Sequence, residues 1–254
     1  MHTLVLKKYK FFIKALLILF FISLTSTFNI LCQTAEDYNN KGIDYLQQGL
    51  YEKAAKEFLK AIKTNPQISE YHNNLGTAYF KLDKMELAEK SYRKALVFDP
   101  SASGIYHNLG LIYFRRGELE QAIKTFKKAI GLNPKSFDSH FYLASAYMEC
   151  GQLDNSIKEF KKTIELYPGD AQAYFNLGRA YGLKGMEDEE IAAYKKAIAI
   201  SPEYLQVDYR LAFSFIKNKD YKKAWHHALI SEKLGHPSAK DLINKLRRLS
   251  PPPK

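Results

Sequence analysis

Apolar positions recur along this chain with helical spacing, and they come in pairs. In residues 103–136, Leu109, Ile112 and Tyr113 share one helical face, and after a turn at Gly117 a second set follows in Ala122, Phe126, Ala129 and Ile130. The two stretches predict a hairpin of antiparallel helices. The pattern then repeats: Pro66, Pro100, Pro134, Pro168 and Pro202 stand 34 residues apart, preceded in the same register by Tyr45, Tyr79, Tyr113, Tyr147 and Tyr181. A period of this length, each unit a helical hairpin, is the signature of a solenoid.

One position in the repeat runs against helix propensity. Gly42, Gly76, Gly110 and Gly178 fall inside the first helix, with Ala144 and Ala212 in the same register. A glycine there costs about 0.5–1 kcal/mol relative to alanine. A cost that recurs predicts a recurring reason, namely close approach of the second helix. Ala54, Ala88, Ala122 and Ala224 are the small residues expected to face it, and Phe58, Tyr92, Phe126, Phe160 and Tyr194 are expected to fill the space beside that contact. The prolines end the second helix, because the residue before a proline is pushed out of the helical region.

These residues resemble the tetratricopeptide repeat pattern W-x2-L-G-x2-Y, A-x3-F, A, P. Six consecutive copies occupy 35–68, 69–102, 103–136, 137–170, 171–204 and 205–236. The tryptophan position holds Tyr38, His72, Tyr106, His140, Tyr174 and Asp208. Glu190 replaces an alanine in copy five, and Ala228 and His236 replace the aromatic and the proline in copy six. The resemblance implies an all-α fold, a right-handed α-solenoid of about six helical-hairpin units. Ala239, Leu242, Ile243, Leu246 and Leu249 then predict a capping helix over 237–250, with a polar outer face supplied by Lys240, Asp241, Lys245, Arg247 and Arg248 and a proline-rich tail over 251–254.

The first 32 residues lie outside the repeats. Lys7, Lys8, Lys10 and Lys14 precede an apolar run from Ala15 to Leu24 without an acid among them, which describes an export signal; the alternative is a retained membrane anchor. Either places the repeats across the cytoplasmic membrane, periplasmic or membrane-associated. Cys32 stands where a lipidated cysteine would, although Asn29-Ile30-Leu31 departs from the usual small residue before it; otherwise cleavage removes it. Without Cys32, Cys150 is the sole thiol, so stability must come from packing. The four leader lysines also account for much of the charge: without them the net charge falls from +11 to +7. Lysine pairs such as Lys127-Lys128, Lys161-Lys162 and Lys195-Lys196 then read as a solvated outer face, not a nucleic-acid surface.

The repeats leave little room for catalytic chemistry. The sequence has no glycine-rich phosphate loop, no H-E-x-x-H and no paired-cysteine zinc spacing. His72 and His140 are accounted for by the repeat. Adjacent His226 and His227 diverge by about 100 degrees on a helix. The acidic run Glu187–Glu190 opens a second helix, where it complements the helix dipole. No cofactor, metal or small-molecule substrate is expected.

The resemblance implies that the first helices line a concave surface through positions two, five, six, nine, twelve and thirteen of each copy. Position six reads Asn40, Asn74, Asn108, Tyr142, Asn176 and Arg210, an amide ladder able to bond an extended backbone. Position five passes from Asn39, Asn73 and His107 to Phe141, Phe175 and Tyr209, and position nine ends in Arg179 and Phe213. A groove of polar amides is therefore expected in the N-terminal copies, and of aromatic anchors and arginines in the C-terminal ones. The lysine and asparagine that a chaperone-tail carboxylate clamp requires at positions five and nine are absent. The expected function is a non-enzymatic protein–protein interaction scaffold of the cell envelope, with a protein or peptide partner. The alternative is a substrate-presenting or regulatory subunit of an envelope enzyme or assembly machine, since length and layout are similar to the pilotin lipoproteins of type IV pili.

The leader gives a direct test. Protein made from the full gene is expected outside the cytoplasm, with its mature N-terminus between Thr25 and Ala35 by mass spectrometry; an N-terminus at Met1 in the membrane fraction gives the retained anchor instead.

Overall fold

The computed structural model describes residues 34–252. The basic–apolar leader and Cys32 lie outside the described residues. Among those described there are thirteen α-helices and no strand, and no helix is long and apolar enough to cross a membrane. The chain divides into two compact units, one ending at Pro100 and the other beginning at Ser101.

The first unit contains α1 (Ala35–Gln47), α2 (Tyr51–Thr64), α3 (Ser69–Lys81) and α4 (Met85–Phe98). Thr34 fixes where it starts. Its Oγ1 accepts the Asp37 amide at 3.1 Å while Asp37 Oδ2 accepts the Thr34 amide at 2.8 Å, a reciprocal capping box that satisfies two otherwise open donors. The second unit contains α5 (Ser103–Arg115), α6 (Leu119–Leu132), α7 (Phe137–Glu149), α8 (Leu153–Leu166), α9 (Ala171–Lys184), α10 (Glu187–Ile200), α11 (Leu205–Lys217), α12 (Tyr221–Lys233) and α13 (Ala239–Leu249). Within each unit odd and even helices pack as antiparallel pairs, and each pair packs on the next, which is the all-α solenoid arrangement. Helix α13 buries Leu242, Ile243 and Leu246 in one cluster with Leu211, Phe215, Trp225 and Ala228. The helices of each pair are joined by a turn with one left-handed residue, glycine at Gly49, Gly117, Gly151 and Gly185, but Asp83 and Lys219 in the remaining two pairs.

The repeat glycines have the close contact their cost predicts, and the partner is the aromatic ring itself. A Cβ added to Gly110 would lie 2.5 Å from Phe126 Cε1; on Gly42, Gly76 and Gly178 it would meet Phe58, Tyr92 and Tyr194 at 2.5, 2.6 and 2.6 Å. The rings occupy the space where a side chain would stand, and all four are buried. Because burial removes a phenol from water, the Tyr92 hydroxyl is pushed up to about 12, with a hydrogen bond to Thr77 acting the other way.

Gly110→Leu is therefore expected to destabilise the protein by about 1–3 kcal/mol, because the side chain overpacks against Phe126, although leucine is the better helix former. Thermal denaturation checks this, and a raised midpoint would contradict the contact.

Candidate functional site

In the first unit one amide of the proposed ladder, that of Asn74, is drawn into a bond between helices. Asn74 Nδ2 donates to Asn39 Oδ1 at 2.9 Å, and Asn39 Nδ2 donates to Glu70 Oε1 at 3.1 Å. Asn39 is buried and Asn74 half-buried, so this pair ties α1 to α3; Asn40 is exposed. The sequence placed Asn74 in the ladder but carries no signal of that bond, because asparagine recurs at position six whatever stands at position five of the preceding copy.

In the second unit the candidate residues separate into two groups. Phe175 and Asn176 are buried. Phe175 packs between Tyr194 and Tyr204, with ring centroids 5.7 and 5.2 Å away, and Asn176 donates to the Gln172 carbonyl while accepting from Arg179 Nη1 at 3.0 Å. Phe175 is thus a core ring, and Asn176 positions an arginine. Asn108, Phe141 and Tyr142 are half-buried; Tyr142 packs among His107, Phe114, Phe126 and Phe141. Tyr209 stacks on His236 at 4.1 Å and contacts Phe213, over which Lys245 lies 5.1 Å from the centroid. Arg210 is exposed, and Arg179 and Phe213 are half-buried.

A cavity of about 340 Å³ opens among α9, α10 and α11, lined by Arg179, Gly182, Leu183, Glu190, Tyr194, Arg210, Phe213, Ser214 and Lys217. Three of the residues singled out from sequence, Arg179, Arg210 and Phe213, meet here. Glu190 corrects the reading of the acidic run: Asp188 and Glu189 are exposed at the helix start, but Glu190 is buried, only 8% exposed, with its carboxyl 2.6 Å from where a Gly182 Cβ would stand. Its Oε2 has no hydrogen-bond partner among the described residues. The Tyr194 hydroxyl is pushed far above the usual phenol range, first by burial and then by the Glu190 charge, with Arg210 and Arg179 opposing. The signal that could have found this cavity is a double departure. Position twelve is Leu46, Phe80, Phe114, Met148 and Ile216 in the other copies but Gly182 here, and the facing position is Ala54, Ala88, Ala122, Ser156 and Ala224 but Glu190 here.

The histidines hold the helix pairs together. His140 Nδ1 lies 2.7 Å from Glu159 Oε2 and Nε2 lies 3.1 Å from the Pro134 carbonyl, so acceptors face both nitrogens. The Glu159 hydrogen bond, helped by Pro134, raises the His140 pKa against burial and the nearby Lys162. His227 Nδ1 lies 2.7 Å from Oδ1 of buried Asp208, and His72 Nε2 lies 2.8 Å from the Pro66 carbonyl. Among the described residues no three His, Cys, Asp or Glu side chains come together in a metal-holding group.

Models described as tetratricopeptide repeat match residues 39–103, 91–124 and 171–204, and one described as TPR repeat matches 110–151 and 144–185. No curated protein sequence matches the chain. Among solved structures, MamA is 30% identical, with 63% of this chain and 94% of that one covered and a TM-score of 0.60. YrrB, described as a TPR protein with an unusual peptide-binding site, is 22% identical over 75% of this chain and 99% of its own, with a TM-score of 0.64. PilF of Pseudomonas aeruginosa is 18% identical over 83% of this chain and 97% of its own, with a TM-score of 0.72. The last two are likenesses of fold.

The His140 arrangement sets a pH dependence. A histidine whose pKa is raised on folding contributes stability that is complete below its ordinary value of about 6.5 and is lost as pH rises through the folded-state value. The gap in thermal midpoint between the wild type and His140→Gln is therefore expected to narrow as pH rises above about 6.5; a gap independent of pH would mean that folding does not raise the His140 pKa.

Proposed function

The chain belongs to the tetratricopeptide repeat family, and on that premise we propose that it is a non-enzymatic interaction protein of the cell envelope, which holds a partner protein or peptide against its first-helix face. The observation that carries this reading is the set of first-helix side chains left over once packing is satisfied. Arg210 is exposed, while Arg179 and Phe213 line a cavity beside it. Asn40 is exposed on α1. These are groups that hydrogen-bond, pair with charge or bury an apolar side chain. The peptide-binding site attributed to YrrB, which shares the fold, supports a peptide as the partner. The basic–apolar stretch from Lys7 to Leu24, of the kind that directs export, supports the envelope as the place.

The second helices bring a contrasting surface. Lys127 and Lys161 lie over the rings of Tyr147 and Tyr181 at 5.4 and 5.8 Å and cover apolar surface without facing the cavity. They make natural controls.

With a partner captured from envelope extract and then purified, Phe213→Ala or Arg210→Ala is expected to weaken binding by about 2 kcal/mol, and Asn40→Ala by about 0.5–1.5 kcal/mol. Lys127→Ala and Lys161→Ala should leave the affinity unchanged at physiological salt. Equal losses from both sets by calorimetry would move the binding surface to the outer face. Phe175→Ala belongs in neither set, since it opens the core.

A further inference from the structure

We propose that the groove between α2 and α4 is a docking site for an amphipathic helix of a partner protein, one whose apolar stripe is flanked by acidic residues. The site lies on the second-helix side of the first unit and does not rest on the first-helix-face reading. Helix α3 packs against both second helices, and between them its His72, Leu75 and Tyr79 form the floor of a cavity of about 630 Å³. Leu59 and Ile62 of α2 make one wall, and Leu87 and Val97 of α4 the other. Leu59, Leu87 and Val97 are 47, 44 and 65% exposed.

The groove belongs to the fold, but its apolar walls do not. Equivalent positions of the third copy also enclose a cavity, of about 560 Å³, beside Tyr106 and Tyr113, and there the second helix presents Gln121, Lys124, Thr125, Lys127 and Lys128. Leu87 stands where the other copies have Lys53, Gln121, Asn155, Glu189 and Lys223, and Val97 where they have Lys63, Gly131, Glu165, Ala199 and Lys233. Leu59 stands where copies two to five have Arg93, Lys127, Lys161 and Lys195, and copy six has Leu229. Lys127 and Lys161 show what the fold needs at that position: each lies over the tyrosine of the next copy, Tyr147 or Tyr181, and covers a ring while keeping a charge in water. Leu59 lines the same cavity as Tyr79, the corresponding ring, but adds only apolar surface. Three exposed apolar side chains that the repeat does not require, gathered in one groove, mark a contact surface.

The walls decide what fits. Both are helices, whose backbone N–H and C=O groups are used within each helix, so the groove offers an occupant no backbone partners. An extended segment laid there would leave its own peptide groups unpaired, whereas a helix brings them already satisfied. The wall from Leu87 to Val97 is about 15 Å long at the rise of a helix, enough to receive an apolar stripe of about three turns. Charge then selects among helices. Lys90, Arg93 and Lys94 line the groove, and no acid among the described residues does. Arg93 is paired with Glu89 of its own helix at 2.6 Å, so Lys90 and Lys94 set the sign, and the occupant carries Asp or Glu beside its stripe. A second copy of this chain meeting the groove face to face would set these lysines against each other. A bilayer surface is flat and would reach the rims without touching Leu75 and Tyr79 on the floor.

Pools of alanine-based helical peptides about 18 residues long, with varied apolar residues along one stripe, carry glutamate, glutamine or lysine beside it and are titrated into the full-length protein by fluorescence anisotropy. The wild type is expected to bind the glutamate pool about tenfold more tightly than the lysine pool, with the gap narrowing in salt, and to release it when a central proline breaks the helix. Leu59→Lys with Leu87→Gln gives the groove the residues of the third copy, so the thermal midpoint is expected to hold while affinity for the glutamate pool falls about tenfold. Lys90→Glu with Lys94→Glu is expected to turn the preference toward the lysine pool. These results together support the site. It is overturned if no pool binds, if the proline peptides bind equally, if binding survives the leucine substitutions, or if the charge reversal leaves the preference unchanged. Either rival occupant also overturns it: a molar mass by light scattering that rises with concentration in the wild type but not in the leucine variant gives a second copy, and anionic vesicles bound more by the wild type than by that variant give a membrane. Phe213→Ala is expected to leave the pool affinities unchanged, so this site and the first-helix face stand or fall separately.

Discussion

Each helix pair interlocks through two layers that alternate in size. In one layer the first helix of four pairs contributes a glycine and the second lays an aromatic ring against it, as Phe126 does on Gly110 and Tyr92 on Gly76, while the fourth pair sets Ala144 in the glycine register and the sixth has alanine, Ala212 and Ala228, in both registers. One turn further along, the sizes reverse: in the first pair the large Leu46 of the first helix packs against the cluster that holds buried Ala54. Large against small in both layers brings two helices close without a void. The glycine's conformational cost is offset by the apolar area of a ring that is wholly covered. Everything outside the pair, including the bonds between repeats, depends on this spacing being the same in each copy.

The interlock was legible in the sequence because it has a period. The recurring glycine, alanine, aromatic and proline gave the hairpins and the all-α solenoid. They did not show that the ring, not the alanine, sits on the glycine. That detail depends on how antiparallel registers pair, and spacing along a single helix is silent about it. Side chains on the first-helix face were harder still. Asn74 and Asn176 occupy one repeat position, yet Asn74 bonds Asn39 of the preceding repeat while Asn176 bonds its own helix and Arg179. Phe175 and Tyr209 likewise share a position, but only Phe175 is buried. What differs is the neighbour one repeat away, which a position-by-position reading treats as constant.

Departures from the period carried more information about the candidate site than the period did. Position six drew attention because its asparagines recur, but the structure uses them within the fold, Asn74 to bond Asn39 and Asn176 to bond its own helix and Arg179. A residue that occurs once cannot be explained that way. Glu190 was visible as a departure from the alanine pattern, and read alone it fitted the acidic start of α10. Only when paired with Gly182, its partner across the reversed layer, does it become a change in shape as well as charge.

That pairing also explains how the fifth repeat keeps its fold. On α9 Gly178 and Gly182 are one turn apart, and on α10 Glu190 and Tyr194 are one turn apart in the opposite direction, so both layers remain in register. The ring layer is intact: Tyr194 covers Gly178 and is 1% exposed, and Ala197 beyond it is fully buried. The alteration is confined to the other layer, where space for a large apolar residue is exchanged for a carboxylate and a cavity. An interlock with two layers can change one and keep its spacing, because the second still fixes the distance between the helices. A single substitution would not achieve this. Glutamate opposite a leucine or phenylalanine would collide with it, and glycine opposite an alanine would leave a void that neither water-loving groups nor packing fill. The two changes are compatible with the fold only together.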